Sequence, residues 1–425
     1  MAIRKENFDL VDFAKSQVEN FQNGWSKGAR ESALARLSDM GLPNHRDEYW
    51  KYTNPSDLIS EKVSYSPVQN LEDANTFLEI EALKIVFCDG IFNSDLSDDL
   101  TLENISISRL SDPGDLHWAQ NYYGILEKQG QIPVSRALAA LNTAVASDGA
   151  LIHVKGNIDK PVLILGMYSK PGEAFLHHLI KVDKDCSVTL LESGPFATKI
   201  NTVMEVFLEE NASFQHVRTQ GRDHDRWAAT HIFADIQEKA KFKSFTLTAN
   251  GILTRNECIL ALFGDECVAH VAGASVGDGK NYHHDDTVFV THDAVACESR
   301  QVFKKVLRNG ATGVFQGKIL VKEGAQKTDG YQISQSLLLD DDSQFLAKPE
   351  LEIYADDVVC SHGSTSGAID EQALFYLCSR GISKSDATDM LTLAFLAEAI
   401  NEIENENIAN IMVEKISTWL ERRRK

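Results

Sequence analysis

A chain of 425 residues with 42 Lys and Arg against 62 Asp and Glu carries a formal charge of −20, which repels nucleic acid and anionic lipid. Its seven cysteines are odd in number and scattered, without a C-x-x-C pair, so neither a disulfide framework nor a zinc ribbon is expected and a reducing compartment suits the chain. The length allows two or three domains, and the start M-A-I-R-K-E-N-F lacks the apolar run of a leader, so we expect a cytoplasmic protein with no nucleic acid or membrane partner.

Residues 6–40 place Leu10, Phe13, Ala14, Val18 and Phe21, then Ala33, Leu34 and Leu37, at helical spacing, which predicts a helical region ended by Gly41-Leu42-Pro43. The next stretch, H-R-D-E-Y-W-K-Y-T-N-P at 45–55, sets three aromatics among charges and reads as a folded-over extended segment with stacked rings. Alternation in L-K-I-V-F-C-D-G-I-F and I-S-I-S-R-L, within residues 80–110, predicts short strands around a turn at Asp89-Gly90. Helices are expected over 115–127 and 134–146, the second with Leu138, Leu141 and Val145 on one face.

From Gly149 the helical period gives way to short alternating runs for roughly 210 residues. A polar or small pair followed by an apolar residue recurs at Val188, Phe214, Phe242, Val268 and Val295, in steps of 26, 28, 26 and 27 residues. A second run keeps similar step at Val206, Ile232, Leu260 and Val288. A repeat of this length made only of strand and turn predicts a β-solenoid, a parallel β-helix, because one coil cannot bury its apolar face until the next stacks on it. The chain then divides into a mostly helical N-terminal domain (1–147), the β-helix core (148–366) and a C-terminal helical domain (367–425).

In that last part Ala373, Leu374, Leu377 and Cys378 share a face, Arg380-Gly381 closes their helix, and S-K-S-D at 383–386 resembles a capping box with Asp in place of Glu. Met390, Leu391, Ala394, Phe395 and Ala397 follow as an apolar face, then Ile411, Met412, Ile416 and Trp419 on a helix over 408–420. These helices are expected to cap the open end of the solenoid, to dock a partner, or both.

Familiar catalytic signatures are missing. Gly279-Lys280 and Gly317-Lys318 lack the Ser or Thr of a Walker A loop, so no nucleotide is expected on this chain, and neither H-E-x-x-H nor a G-x-G-x-x-G after a strand occurs. One G-x-S-x-G, at 273–277, precedes G-D-G-K-N-Y and reads as a solenoid turn. Asp285-Asp286 and Asp356-Asp357 leave a carbohydrate-acting β-helix enzyme as a rival reading, weakened because adjacent strand residues point to opposite faces.

Soft metal donors concentrate in two places. Cys360 and His362 lie two apart, so on an extended strand both leave one face. That pair suits zinc, copper(I) or part of an iron–sulfur site, yet a closed soft-metal site wants about four ligands. The competing account makes Cys360 a small buried hydrophobe and His362 a hydrogen-bonded turn residue. His283, His284, Asp285, Asp286, His292 and Cys297 form the second concentration, where alternation aligns His284, Asp286 and His292 only if no turn intervenes.

The runs G-V-F-Q-G-K-I-L-V-K-E-G-A-Q-K-T-D-G-Y-Q-I-S-Q-S-L-L-L-D at 313–340, K-P-E-L-E-I-Y-A-D-D-V-V-C-S-H-G-S-T-S-G at 348–367 and L-F-Y-L-C-S-R-G-I at 374–382 resemble the SufB/SufD family, core subunits of the Suf iron–sulfur cluster assembly complex. C-S-H-G rather than C-E-H-E, with R-D-E-Y-W-K-Y-T at 46–53, looks like the SufD branch. Ser364 departs slightly from the frequent C-S-H-G-A-T. The resemblance implies a right-handed parallel β-helix between helical domains and a non-catalytic scaffold pairing with SufB. It also implies docking of the SufC ATPase on the C-terminal helices. Cys360 and His362 match the C-x-H residues placed near the SufB interface, where a nascent iron–sulfur cluster is thought to form. The family's complex also binds reduced flavin, which no residue here places. A cluster site shared with SufB would supply the ligands that this chain lacks. A SufB-like subunit holding a cluster alone remains an alternative, as does a homodimer of the isolated chain.

Overall fold

The computed structural model describes residues 9–21, 24–63, 75–100, 103–112, 117–221 and 225–423. Asp9 opens α1 (Leu10–Asn20) by accepting from the Val11 N–H at 2.9 Å, and Leu10, Ala14 and Val18 form the buried stripe. α2 (Lys27–Met40) buries Ala33 and Leu37 and stops at Gly41, whose φ of +70° favours a residue without a side chain. Both follow the predicted spacing, although residues 6–8 lie outside the described residues.

The 45–55 segment differs from expectation. It forms two 3-10 turns, Glu48–Trp50 and Pro55–Asp57, and its rings stack on the solenoid instead of on one another. Tyr49 meets the edge of Phe289 at 5.0 Å and Trp50 lies under the Arg255 guanidinium at 4.1 Å. The physical reason is a buried ionic cluster on that sheet face. Arg136 and Arg255 share Glu257 at 3.0 and 2.7 Å, Arg255 also reaches Asp285 at 2.5 Å, and Thr53 donates to Asp285. Arg255 and Gln316 donate to the Tyr49 carbonyl at 2.9 and 3.1 Å, so the segment supplies acceptors to a buried polar network.

β1 (Leu83–Cys88) passes through Asp89 and Gly90, at φ +53° and +75°, into β2 (Ile91–Phe92), as the alternation predicts. After β3 (Ile105–Arg109) come α3 (His117–Gln120), α4 (Ile125–Gln129) and α5 (Ala137–Val145). They are shorter than the helices predicted over 115–127 and 134–146: Gly124, at φ +73°, separates α3 from α4, and residues 115–116 lie outside the described residues. α5 is buried on every side, not on one face alone.

The chain then winds through β4 (Ala150–Val154), β5 (Val162–Met167), β6 (Glu173–Val182), β7 (Ser187–Ser193), β8 (Lys199–Leu208), β9 (Ser213–Gln220), β10 (Trp227–Ile236) and β11 (Lys241–Ala249). It continues through β12 (Leu253–Leu262), β13 (Val268–Asp278), β14 (His283–His292), β15 (Glu298–Arg308), β16 (Thr312–Val321), β17 (Thr328–Leu338), β18 (Gln344–Ile353) and β19 (Val358–Gly367). Odd strands pair with odd, in the order β19-β17-β15-β13-β11-β9-β7-β5-β1-β2, and even with even, in the order β18-β16-β14-β12-β10-β8-β6-β4-β3. Pairings within the coils are parallel, whereas β1–β2 and β3–β4 are antiparallel. The molecule is therefore a mainly β, two-sheeted parallel solenoid of about 7 turns, flanked by N- and C-terminal helices.

The period has a backbone origin. Asp185, Asn211, Lys239, Glu266, Ala296 and Lys327 all adopt φ between +57° and +60° at one corner of successive coils. At Phe214 and Phe242 the predicted repeat is the true register, since Val188 lies opposite Phe214 and Phe214 opposite Phe242. Beyond that it slips. Phe242 faces Ala269 rather than Val268, and Val295 lies in the turn before β15. The coil has lengthened: Val268 lies opposite Glu298, a step of 30 residues, where Ser187 lies opposite Ser213, a step of 26. In the second run Val206, Ile232, Leu260 and Val288 are all buried and inward-facing, but each pairs two residues from the predicted partner, as Val206 with Ala234. An even offset keeps the face and changes only the neighbour. Gly273-x-Ser275-x-Gly277 lies inside β13, not in a turn; a Cβ at Gly273 would stand 2.8 Å from the Phe303 ring, so the small residues make room for aromatics.

Asp370 caps α6 (Glu371–Ser379), and Gly381 takes φ +89° after it. Ser383 caps α7 (Lys384–Ile400), accepting from the Asp386 N–H at 3.1 Å as a capping box does, and its hydroxyl donates to the Asp386 carboxylate at 2.7 Å. α8 (Glu406–Arg422) buries Met412, Ile416 and Trp419 as predicted. The apolar face expected on α7 is not its buried one. Ala387, Thr392, Leu396, Ala399 and Ile400 are buried, while Met390 is 48% exposed. The helices also do not cap the end of the solenoid. They cover the outer face of the β11–β13–β15 sheet, where Phe245, Ala272, Val302 and Val306 join Leu396 and Trp419 in one cluster. Lys243 pairs with Glu404 at 2.6 Å, His270 with Glu402 at 3.0 Å and Lys304 with Glu398, so charge fixes how they lie across it.

Candidate functional site

β19 ends the odd-numbered sheet and pairs only with β17. Cys360 lies opposite Gly330 and His362 opposite Gln332, so both belong to the inward-facing row, as their spacing predicts. Further along the same row Ser334 donates to Ser364 at 3.0 Å and Ser336 to Ser366 at 2.9 Å, which fixes the register of this last rung. The Cys360 thiol is half-buried and packs on a cluster formed by Ile319, Val321, Ala325 and Ala355. Burial pushes its pKa up, only partly offset by the Gly330 N–H. A Cβ at Gly330 would stand 3.1 Å from Sγ, so glycine there keeps the thiol's space clear.

His362 is exposed. It is mid-strand, not in a turn, with its backbone in the β17–β19 ladder, and among the described residues no hydrogen bond to its imidazole occurs. The site is thus a neutral thiol at the rim of the solenoid core and, two residues on in the same row, an exposed imidazole on the last rung. Among the described residues no group of three or more His, Cys, Asp and Glu is arranged to hold a metal ion.

The second concentration of donors is dispersed. Asp285 faces outward to Arg255, while Asp286 faces inward to Lys305 at 2.5 Å and to His284 at 3.4 Å. No turn breaks β14, yet His292 lies at its far end and is bonded to Ser299 at 2.8 Å. Cys297 and Cys267 point at one carbonyl, Gly264, at 3.3 and 2.9 Å. These groups satisfy one another as core polar residues do.

What the sequence reading missed is how polar the solenoid interior is. Asn256 donates to Asp286 at 3.1 Å, Gln220 donates to Asn256 at 2.7 Å, and Gln332 donates to Gln301 at 2.7 Å. Their signal is a polar residue at inward parity recurring at one coil's length, which alternation alone does not distinguish from the solvent face.

Fold and site together define a parallel β-solenoid that carries a soft-donor pair on its last rung. Residues 1–164 match the family described as SufBD protein N-terminal region, and residues 167–395 match SUF system FeS cluster assembly, SufBD core domain. The chain belongs to the SufBD family of iron–sulfur cluster assembly proteins. It is 27% identical over 404 residues to the iron–sulfur cluster assembly protein SufD of Escherichia coli, covering 91% of each chain. To SufD of Bacillus subtilis it is 27% identical, over 95% of this chain and 96% of the relative. To SufB of Bacillus subtilis it is 23% identical, over 94% and 80%.

Proposed function

We propose that the chain is a non-catalytic scaffold subunit of a Suf complex, pairing through its last rung with a SufB-type chain so that Cys360 and His362 and donors of the partner together hold a nascent iron–sulfur cluster. The observation that carries this reading is the incompleteness of that end. Within β18 and β19 no residue is buried, whereas β16 keeps seven of its ten residues buried. β18 and β19 each have one paired edge, which leaves the other free for strand addition by a solenoid of like spacing. Val359, 71% exposed, and Tyr354, 61% exposed, add apolar surface there. The cluster is cargo, and the chain's own contribution is one thiolate, once metal displaces its proton, and one imidazole.

The second surface of the proposal is α6, which buries none of its residues and exposes Phe375 at 75% and Tyr376 at 56%. Aromatics so displayed are what a partner interface uses, and a SufC-type ATPase is the occupant we assign to it. In this reading residues 1–147, 148–366 and 367–425 are the functional divisions and the cytoplasm is the compartment. Among the described residues no helix is long and apolar enough to cross a membrane.

Anaerobic reconstitution of the isolated chain with iron and sulfide tests the shared site. We expect little colour and iron lost to a chelator. A stoichiometric, chelator-resistant cluster on the pure chain would replace the shared site with an autonomous one.

A further inference from the structure

The solenoid interior holds more positive than negative charge at one level. Glu192, Arg218 and Arg226 line a cavity of about 20 Å³ with Gln220, Thr202 and Thr230. All three charged side chains are essentially enclosed, Arg226 at 2%, Glu192 at 3% and Arg218 at 5% exposure. Glu192 accepts from His216 at 3.1 Å and stands 4.0 Å from Arg218, so the one carboxylate is already shared. Arg218 also donates to Thr246 at 3.3 Å. For Arg226 the contact is a 3.4 Å hydrogen bond to Thr254, and among the described residues no carboxylate pairs with it. Nε of both arginines is buried without a partner.

The neighbouring titratable groups do not restore balance. Glu192 is held ionised, since His216 and Arg218 outweigh its burial and bring it down to about 2. Burial keeps His216 and His178 neutral, the latter pushed down to about 4. Burial and the repulsion of Arg218 lower Arg226 to about 10, which still leaves it protonated at neutral pH. Among the described residues two guanidinium groups therefore face one carboxylate, with one positive charge left over where burial makes an unpaired charge costly.

We propose that this cavity is an anion site that binds one monatomic anion, chloride in ordinary solution, between Arg218 and Arg226. The space admits about one water-sized occupant, which excludes phosphate, sulfate and organic carboxylates. A water would fill the volume and leave the charge uncompensated; a chloride would fill it, balance the charge and offer an acceptor to the buried, unpartnered Nε–H groups. The ligand belongs to the folded core, remote in sequence from Cys360 and His362, and does not depend on the scaffold reading.

The full-length protein tests this in sodium chloride–sodium gluconate mixtures of constant ionic strength, gluconate being too large to enter. A site present only in the folded state makes the melting midpoint rise with the logarithm of chloride concentration above the dissociation constant. Arg226→Gln, which removes the excess charge, should flatten that dependence. In crystals grown with sodium bromide, an anomalous peak is expected between the two guanidinium groups. A midpoint indifferent to chloride, or bromide found on the surface and not in the cavity, an adventitious ion only, overturns the proposal. Should Arg226→Gln fail to fold, the bromide map of the unaltered protein decides alone.

Discussion

Cys360 and His362 differ in what holds them, and their substitutions should differ too. The His362 imidazole is exposed and makes no hydrogen bond among the described residues, so His362→Ala should leave the melting midpoint of the chain unchanged while lowering iron and sulfide content per assembled complex. Normal cluster content in that variant would end the ligand assignment. Cys360 packs on Ile319 and Val321, so Cys360→Ser should cost stability as well, on the order of 1 kcal/mol for a polar group placed on a half-buried apolar cluster. That these two share a face was legible from a spacing of two; that one is anchored and the other free was not, because anchoring comes from β16, some forty residues away. The coil corners give another test at this scale. Ala296 sits at φ +58° with its N–H bonded to the Gln326 carbonyl at 2.8 Å. Ala296→Gly should keep that bond, relieve the steric cost of a left-handed residue and stabilise the fold by about 1 kcal/mol, read as a higher midpoint.

At the scale of elements, helix caps were legible because their chemistry is local. Ser383 with Asp386, and Gly381, need only their neighbours to be recognised. The buried face of α7 was not, since apolar residues run round that helix and the sheet it rests on decides which are covered. The same failure identifies a surface. Met390 was placed on the apolar face of its helix and is exposed, on the helix that follows the exposed Phe375 and Tyr376 of α6. Phe375→Asp combined with Tyr376→Asp should abolish copurification of a SufC-type ATPase without changing the midpoint, because neither ring is buried in the chain itself. An ATPase that stays bound to this double variant would remove α6 from the docking assignment. Deleting the C-terminal helices is a poorer test, as it would also uncover Phe245, Val302 and Val306. The solenoid period was legible for the first coils, where the step is 26 to 28 residues, and drifted once loops lengthened it to 30.

For the whole molecule the buried histidines set the response to acid. Burial pushes His178 and His231 down to about 4, and lowers His216, His283 and His284 as well. An unfolded chain takes up these protons near pH 6.5 and the folded one refuses them, so stability falls as pH drops from about 6.5 towards 4. His178 and His231 each account for roughly 3 kcal/mol of that fall. The loss continues below 4.5: despite burial, Arg255 and Arg136 hold Glu257 near 2, and His216 and Arg218 do so for Glu192. Melting midpoints between pH 8 and 4 should decline steadily below about 6.5; a flat profile there would mean that these imidazoles are already charged in the fold. The two ends of the solenoid matter at this scale as well. At one end β2 and β3 run antiparallel to their neighbours; at the other, β18 and β19 stop in mid-stack. If the last rung pairs as proposed, a single association uses up the end through which the parallel stack could grow. Under that pairing the molecule would not extend into a solenoid fibre through its last rung, while the exposed rings of α6 would stay available to a different partner.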